Sequence, residues 1–265
     1  MIGFDLSGRV SVVTGGARGI GAATALALAA AGSEVAVFDL DEREARDRAA
    51  AVAAASGKRA QGYAVDVRHA ASVRAACDRV AEEFGALDHL INNAGIQHVA
   101  PLADFPDERW EQVTATNLDG VFHATKAAWP HMVARERGRI VNVASIHGLV
   151  ASPYKPAYVA AKHGVVGLTR AAALEGAPLG ITVNVVCPGA VLTDLVRDQV
   201  PDLVASYGGG ISDEDALARA FLQAMPSRTF IEPEEVAYLC VYLCTDWARS
   251  INGAPISIDG GWSAH

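Results

Sequence analysis

Two tyrosines and two lysines lie in the segment 152–164, SPYKPAYVAAKHG. A helix that begins near Pro156 places Tyr158 and Lys162 four residues apart on one face, whereas Tyr154 precedes it and has no lysine fixed beside it. Lowering a phenol pKa from about 10 to about 7 requires about 4 kcal/mol. A cation about 4 Å away supplies a similar energy at an effective dielectric near 20. We therefore predict that Lys162 tunes Tyr158 as the general base for an alcohol.

Ser145 and Asn117 are further candidates for the same site. Ser145 follows a buried apolar run, thirteen residues before Tyr158, where its hydroxyl could hold a substrate oxygen. Asn117 lies within a helical segment, where an asparagine often signals a backbone or water contact. Each residue taken singly has a structural explanation: a strand-end cap, a helix kink, or an ordinary Tyr/Lys pair on a helix. Only their combination indicates catalysis.

The segment TGGARGIG predicts a phosphate-binding turn, with Gly15, Gly19 and Gly21 between a β-branched run and an Ala-rich helix. Glycines allow close backbone approach, and the helix amino terminus attracts a pyrophosphate. Asp39 ends the second strand, where a carboxylate binds the ribose 2′-hydroxyl of NAD and repels the 2′-phosphate of NADP. Arg18, inside the turn, favours NADP instead. We give more weight to Asp39, because an arginine at this turn can point to solvent.

Short apolar, β-branched runs alternate with helical segments, which is typical of a mostly parallel sheet covered on both faces. The predicted strands are residues 10–13, 34–38, 61–67, 87–91, 139–145, 182–188 and 254–259. The segment 41–56 predicts an exposed helix, with Asp41 as N-cap and Glu44 at the capping-box position. Pro233 suits the first turn of a later helix. The pattern indicates one α/β domain over residues 1–265, a Rossmann-like, doubly wound fold.

Residues 190–230 interrupt this alternation with two helical pieces. Ligands of doubly wound sheets bind outside the carboxyl ends of the strands. The segment could therefore form a small helical lid after the sixth strand, or equally a surface decoration. Asp66 and Val67 at the end of the third strand, and NNAG (92–95) at the end of the fourth, fall at the same edge. An aspartate there can meet an adenine, and small residues let a cofactor pass.

The chain composition excludes several functional classes. A formal charge of −8 and a pI near 5.4 over 265 residues argue against a nucleic-acid or membrane-surface partner. The four cysteines have no metal-binding or disulfide spacing, which fits a reducing compartment. No apolar run approaches the roughly 18 residues of a membrane span, and no signal peptide is apparent. No metal site is indicated. We expect a soluble cytoplasmic protein.

Taken together and in this order, these motifs resemble the short-chain dehydrogenase/reductase family, from about residue 5 to the C-terminus. The resemblance implies a seven-stranded sheet, a nicotinamide cofactor and frequently a homotetramer. It also implies that the lysine holds the nicotinamide ribose and the asparagine holds a proton-relaying water. The catalytic residues would be Asn117, Ser145, Tyr158 and Lys162. The cofactor-binding residues would be Gly15, Arg18, Gly19, Ile20, Gly21, Asp39, Asp66, Val67, Asn93, Ala94, Gly95, Tyr158, Lys162, Pro188 and Thr193.

A second group of residues is not explained by the shared catalytic machinery. Lys155 and His147 are potential cations, and Gln97 and Gln199 carry side-chain amides. Together these four groups suit a small carboxylate. The segments around them are similar to those of the bacterial D-3-hydroxybutyrate dehydrogenases, whose counterparts bind the substrate carboxylate and carbonyl region. The predicted substrate-binding residues are Gln97, His147, Lys155, Gln199 and, near the C-terminus, Trp262.

The expected activity is reversible, NAD-dependent oxidation of a small hydroxy acid, D-3-hydroxybutyrate, to acetoacetate. One alternative is an NADPH-dependent reductase of 3-oxoacyl thioesters or other carbonyl compounds, favoured by Arg18 and disfavoured by Asp39 and Lys155. An alternative of another class is a catalytically silent nucleotide-binding protein on the same fold. The intact tetrad argues against the silent protein.

Overall fold

A computed structural model of the chain describes residues 4–198, 200, 201, 204 and 210–264. Seven strands form one sheet in the order β3-β2-β1-β4-β5-β6-β7, and every neighbouring pair is parallel. All seven predicted strands are confirmed, with shifts of a few residues at their ends. The strands are Val10–Thr14 (β1), Glu34–Asp39 (β2), Ala60–Ala64 (β3), His89–Asn92 (β4), Gly138–Val143 (β5), Ile181–Pro188 (β6) and Pro255–Ile258 (β7).

Helices connect the strands and cover both faces of the sheet. In chain order they are Gly19–Ala30 (α1), Glu42–Ser56 (α2), Ala70–Phe84 (α3), Asp107–Thr114 (α4), Gly120–Ala134 (α5), Pro156–Gly176 (α6), Asp194–Arg197 (α7), Asp213–Ala220 (α8) and Pro233–Cys244 (α9). A π-helical turn, Ala115–Asp119, joins α4 to α5. The predicted starts at Pro156 and Pro233 are both confirmed.

The sheet is buried on both sides because successive strand residues face opposite layers. Val13, Ile91 and Val141 belong to a core packed against α1 and α9. Their neighbours Val12 and Leu90 belong to a second core with residues of α3 and α5. This explains why the strands are continuously apolar in sequence instead of alternating.

Helix α6 is also attached to the sheet by a buried polar contact. The Asn142 side chain of β5 donates to the Thr169 hydroxyl of α6 at 2.8 Å, and its carbonyl oxygen accepts from Asn92 of β4 at 2.8 Å. All three side chains are buried. Because apolar packing alone leaves helices free to slide slightly, these directional bonds fix the position of α6 along β5.

The segment after β6 returns to the sheet through a parallel bridge between Val191 and Ile231. Between these two residues lie α7, α8 and a 3₁₀ turn at Leu222–Ala224. The predicted helical pieces are therefore present, although Gln199 and residues 207–209 lie outside the described residues. None of the helices described is long and apolar enough to cross a membrane.

The four cysteines are free and buried, as the sequence predicted. Burial raises the pKa of Cys187 to about 11 and that of Cys240 to about 12. These thiols are therefore protonated at neutral pH and act as small apolar side chains.

Gly62 in β3 allows α2 to pack directly on the sheet. A β-carbon at this position would overlap the backbone of Ala45 and Arg46 in α2. Helix α2 carries Asp41 at its N-cap and Glu44 in its first turn, both of which line the functional site described below.

We predict that Gly62→Ala lowers the free energy of unfolding by about 1–3 kcal/mol, the usual cost of overpacking, because two backbones must separate. Ala64→Ser, at an exposed position of the same strand, is the control and should change stability by less than about 0.5 kcal/mol. Chemical denaturation of both variants measures the difference. Equal stability of the two variants would show that α2 moves without cost.

Candidate active site

A groove of about 740 Å³ lies at the carboxyl edge of the sheet, where the sequence placed the cofactor. It runs from the end of β2, past the turn between β1 and α1, to the start of α6. Thirteen of the fifteen predicted cofactor residues line it. They are Gly15, Arg18, Gly19, Ile20, Asp39, Asp66, Val67, Asn93, Ala94, Gly95, Tyr158, Lys162 and Thr193.

Gly21 and Pro188, the other two predicted cofactor residues, are not among the residues that line the groove. A β-carbon on Gly21 would overlap the Gly15 carbonyl and approach the Asn93 amide. A glycine at this position therefore allows the turn to close. Pro188 is the buried last residue of β6.

The glycine turn is held open by its own geometry and by β4. Gly15 and Gly19 have φ angles of 59° and 51°, which disfavour residues with a side chain. The Asn93 amide donates to the Gly15 carbonyl at 2.9 Å, and the Thr14 hydroxyl accepts from the Asn93 backbone at 3.0 Å. Arg18 at the N-cap of α1 makes no side-chain capping bond. The helix amino terminus thus remains available to a phosphate.

Asp39 and Arg18, the two conflicting cofactor signals, both make hydrogen bonds within the protein. One Asp39 carboxylate oxygen accepts from the Ala17 backbone at 2.9 Å, and the other accepts from Leu40 at 2.8 Å. The Arg18 guanidinium does not simply point to solvent: it forms a bidentate pair with Glu44, with Nε to Oε2 at 2.8 Å. Glu44 therefore does not complete the predicted capping box. Asp41 alone caps α2, accepting from the Glu44 backbone at 3.0 Å.

Asp66 lies just beyond β3 and lines the groove as predicted. Arg68 pairs with its carboxylate, Nη2 to Oδ2 being 2.6 Å. This arginine lowers the pKa of Asp66. The carboxylate stays ionised and its charge is largely balanced locally.

Tyr158, Lys162 and Ser145 meet where the groove reaches α6. Ser145 follows β5 and hydrogen-bonds with Tyr158. The Ser145 hydroxyl also accepts from the His147 backbone at 3.2 Å and caps a short 3₁₀ turn, which confirms the structural interpretation of this residue. The Lys162 ammonium is 4% exposed and donates to the Val143 carbonyl at 2.9 Å. Its nitrogen lies 5.5 Å from the centre of the Tyr158 ring.

The predicted effect of Lys162 on Tyr158 is not found in this structure. Burial raises the pKa of Tyr158, and the bond with Ser145 is the contact that opposes this rise. The Lys162 ammonium donates one of its three N–H groups to Val143, and burial lowers the pKa of the lysine itself to about 8. Tyr158 is therefore protonated near neutral pH.

Asn117 is fully buried in the π-helical turn and lies beside this group. Its side-chain amide donates to the Ile96 carbonyl at 2.9 Å and accepts from the Ile96 amide at 2.9 Å. Both ends of the side-chain amide are thus bonded to the backbone of Ile96. These bonds fix the chain after Gly95, where a β-carbon would lie 3.7 Å from the Lys162 nitrogen. Irregular π turns frequently occur at functional sites.

His147, Lys155 and Trp262 lie together next to Tyr158. The His147 ring makes edge contacts with Tyr158 and Trp262, the ring centres being 6.2 Å and 5.6 Å apart. The Lys155 ammonium stacks over the Phe221 ring, 5.3 Å from its centre. Burial lowers the pKa of Lys155, and no described carboxylate lies within salt-bridge distance of it.

His147, a potential cation in the sequence analysis, is uncharged in this structure. Burial, aided by the charge of Lys155, lowers the pKa of His147 to about 4, so the imidazole is neutral at pH 7. Its buried Nδ1 atom has no hydrogen-bond partner among the described residues. The neutral ring can hydrogen-bond a ligand without adding charge.

The two predicted glutamines have different outcomes. Gln97 is partly buried and follows the Ile96 residue that Asn117 holds. Gln199 lies outside the described residues. Within the described chain, no group of three or more His, Cys, Asp or Glu side chains could hold a metal ion.

Sequence reasoning missed Glu44 and Phe221 as parts of the site. Glu44 carried a signal, since it is an acid in the first turn of α2, but the capping-box pattern assigned it a local role. Phe221 carried none, because nothing in the sequence relates it to Lys155 across 66 residues of chain.

Comparison with known proteins agrees with the fold described above. The family model described as short chain dehydrogenase matches residues 9–203, and the chain belongs to this family. D-beta-hydroxybutyrate dehydrogenases from Cupriavidus necator and Rhizobium meliloti are 44% and 43% identical, over 98% and 97% of this chain and 99% of each relative.

An acetoacetyl-CoA reductase from Rhizobium meliloti is 42% identical over 96% of this chain and 98% of its own length. Among solved structures, levodione reductase superposes with a TM-score of 0.91 at 33% identity, covering 97% of this chain and 98% of that one.

We predict that Lys162→Met stabilises the fold while abolishing oxidoreductase activity. Keeping Lys162 charged costs up to about 3 kcal/mol, from a pKa near 8 in the fold against 10.5 when unfolded. Losing the bond to Val143 returns about 1 kcal/mol, which leaves a net gain of about 1–2 kcal/mol at pH 7.

The pH dependence of this stability difference is a second measurement in the same denaturation experiment. Since the folded pKa lies below the unfolded one, the cost is complete below pH 8 and disappears as pH rises to 10.5. The stability advantage of the variant should disappear over that range, and above it wild type should be more stable by about 1 kcal/mol, the contribution of the bond to Val143. Lys58→Met, on the surface, is the control and should show no such gap. A destabilised Lys162→Met protein at pH 7 would contradict the prediction.

Proposed function

We propose that the protein catalyses reversible NAD-dependent oxidation of D-3-hydroxybutyrate to acetoacetate. The observation that supports this proposal best is Lys155, a desolvated cation with no described carboxylate partner, placed beside His147 and Tyr158. A buried charge without a partner is costly, and a substrate carboxylate would remove that cost. The similarity to the two D-beta-hydroxybutyrate dehydrogenases supports the same substrate.

The groove residues fit a nicotinamide dinucleotide. The uncapped amino terminus of α1 suits the pyrophosphate, Asp39 suits the ribose hydroxyls near the adenine, and Lys162 suits the second ribose. When bound, the cofactor supplies the hydride acceptor and, in its oxidised form, a positive charge beside the phenol. Gly95 lines this end of the groove, and no side chain at that position occupies the space next to the Lys162 nitrogen.

Tyr158 handles the proton in this proposal, and Ser145 holds the reacting oxygen. In oxidation, the Tyr158 phenolate accepts the hydroxyl proton of the substrate, and in reduction the protonated phenol returns it. Because Tyr158 is protonated near neutral pH, reduction needs no prior change in its protonation state. Oxidation is favoured as pH rises. Lys162, whose nitrogen lies 5.5 Å from the centre of the Tyr158 ring, would supply a positive charge beside the phenolate.

The substrate carboxylate would lie between Lys155 and His147, with Trp262 forming an apolar wall against the methyl end. Lys155 contributes charge, and the neutral His147 contributes a hydrogen bond. Gln97 and Gln199 are further proposed carboxylate contacts. The segment 190–230, which places Phe221 against Lys155, is proposed as the lid over the substrate.

NAD is the proposed cofactor because, among the described residues, the groove offers no unpaired arginine to a 2′-phosphate. Arg18 is held by Glu44, and Arg68 is held by Asp66. Asp39 remains as a negative charge at the ribose position. An NADP phosphate would therefore have to break an existing pair.

We also propose that the enzyme is a cytoplasmic homotetramer. Leu174 of α6 is 80% exposed and Phe122 of α5 is 46% exposed, which supports an association surface on these helices. The free buried thiols suit a reducing compartment. Sedimentation velocity measures the assembly, and a monomer at micromolar concentration would reject the tetramer.

A thioester reductase is the second candidate, supported by the similar identity of the acetoacetyl-CoA reductase. Initial rates with D-3-hydroxybutyrate and NAD, compared with acetoacetyl-CoA and NADPH, separate the two. Higher kcat/KM for the thioester would reject the hydroxy acid as the substrate.

We predict that Lys155→Ala lowers kcat/KM for D-3-hydroxybutyrate by roughly 10- to 150-fold, equivalent to about 1.5–3 kcal/mol for a hydrogen bond to a charged group. The rate with 2-butanol, which lacks the carboxylate, should change little. Lys58→Ala, at the surface, is the matched control. A parallel loss with both substrates would assign Lys155 a structural role instead.

We predict that Glu44→Gln shifts the ratio of kcat/KM values for NADP and NAD toward NADP by roughly tenfold, since one charge-assisted bond to the freed Arg18 is worth about 1.4 kcal/mol or more. Glu82→Gln, an exposed acid of α3, is the control for the change in net charge. An unchanged ratio would show that Asp39 alone determines the preference.

A further inference from the structure

A second cavity, of about 680 Å³, lies at the amino-terminal edge of the sheet, opposite the groove. Arg137, Arg139 and Arg249 line it, together with Thr182 and Asn252. Arg139 is the second residue of β5, four residues before Val143, so roughly 13 Å of strand separates the cavity from the catalytic edge. Nothing in the proposed reaction uses these residues.

Arg139 is a buried cation with unused hydrogen-bonding capacity. It is 5% exposed, and its Nη atoms donate to the Gly138 carbonyl at 2.8 Å, to the Gly180 carbonyl at 3.2 Å and to Asp246 at 3.2 Å. Its buried Nε atom has no partner among the described residues, and the same is true of Nε in Arg137. A buried donor without an acceptor is costly, so these groups indicate a missing acceptor.

The charges around this cavity do not balance. Arg137 and Arg139 share one carboxylate, Asp246, whose side chain is 63% exposed. Glu136 is the other acid in the lining, against three guanidinium groups in total. Burial and the neighbouring Arg137 lower the pKa of Arg139, which reflects the same uncompensated positive charge. The lining of this cavity thus carries excess positive charge, whereas the whole chain carries a net charge of −8.

Thr182 provides a further unpaired donor at the same place. It pairs in register with Arg139 across β5 and β6, so the two side chains stand on the same face of the sheet. Its hydroxyl is buried and has no partner among the described residues. Arg139 and Thr182 thus place buried donors without a described partner in the wall of the same cavity.

We propose that this cavity binds a small phosphate-type oxyanion, either free phosphate or the phosphate of a monoester. Guanidinium groups bind such oxygens in bidentate fashion, and a hydroxyl beside them completes the donor set. A cation would be repelled by the arginines, and an apolar ligand would leave the donors unsatisfied. This inference does not depend on the proposed catalytic activity.

The test is thermal unfolding of the full-length protein with phosphate replacing chloride at constant ionic strength. Saturating NAD is included so that phosphate cannot act through the glycine turn, and the series is repeated without NAD. Phosphate at ten times Kd should raise Tm by roughly 3 °C. Glycerol phosphate, tested in parallel, distinguishes a monoester from the free ion. No shift of wild-type Tm with either ligand would overturn the proposal.

Two variants place the effect in this cavity. Arg249→Ala, at an exposed residue, should weaken phosphate binding roughly tenfold, whereas Arg74→Ala on α3 removes the same charge elsewhere and should leave Kd unchanged. Thr182→Val should weaken binding several-fold and yet raise Tm without phosphate, because it removes an unsatisfied buried hydroxyl. Equal Kd values for wild type, Arg249→Ala and Thr182→Val would exclude this site.

Discussion

The bond from the buried Lys162 ammonium to the Val143 carbonyl, 2.9 Å long, is the contact on which the catalytic end depends. It attaches the first turns of α6 to the end of β5. Seven residues, or two turns, further along the same helix face, Thr169 bonds to Asn142 of the same strand. Two directional contacts on one face prevent both sliding and rotation. Tyr158 is therefore held beside Ser145 by the sheet itself.

This arrangement stabilises the site geometry at the expense of the fold. Burial lowers the pKa values of Lys162 and His147 to about 8 and about 4, and it lowers that of Lys155 as well. Three basic groups are thus kept out of water within one site. Groups placed against their solvation preference are typical of sites that complete their interactions with a ligand. The two apolar cores on either side of the sheet supply the stability that offsets this cost.

The parts of the protein that depend on local pattern were predictable from sequence. All seven strands, the start of α6 at Pro156 and the convergence of Ser145, Tyr158 and Lys162 follow from periodicity, helix spacing and parallel strand order. The pairing of Arg18 with Glu44 was not, because a capping box and a tertiary ion pair compete for one carboxylate and only the packing of α2 decides.

The electrostatic state of the site was equally out of reach. The pairwise argument for Tyr158 placed a lysine at 4 Å from the phenol oxygen, but the lysine's donor direction depends on where β5 ends. Desolvation of His147 likewise depends on Trp262, which lies 115 residues away in the chain. Helix spacing states which residues share a face; it does not state how much water surrounds them.

The two edges of the sheet present different donors to the two anions that we propose as their ligands. At the carboxyl edge, the arginines of the groove are already paired with Glu44 and Asp66, so a pyrophosphate would be held by backbone amides and a helix terminus. These amides and the helix terminus attract the two phosphates of a pyrophosphate, whereas the paired arginines Arg18 and Arg68 are not free to bind a third phosphate, such as the 2′-phosphate of NADP. At the amino edge, Arg137 and Arg139 share a single exposed carboxylate and retain unused donors. At the carboxyl edge, the pairing of the arginines disfavours a ligand with an additional phosphate. At the amino edge, the incompletely paired arginines favour a ligand that supplies hydrogen-bond acceptors.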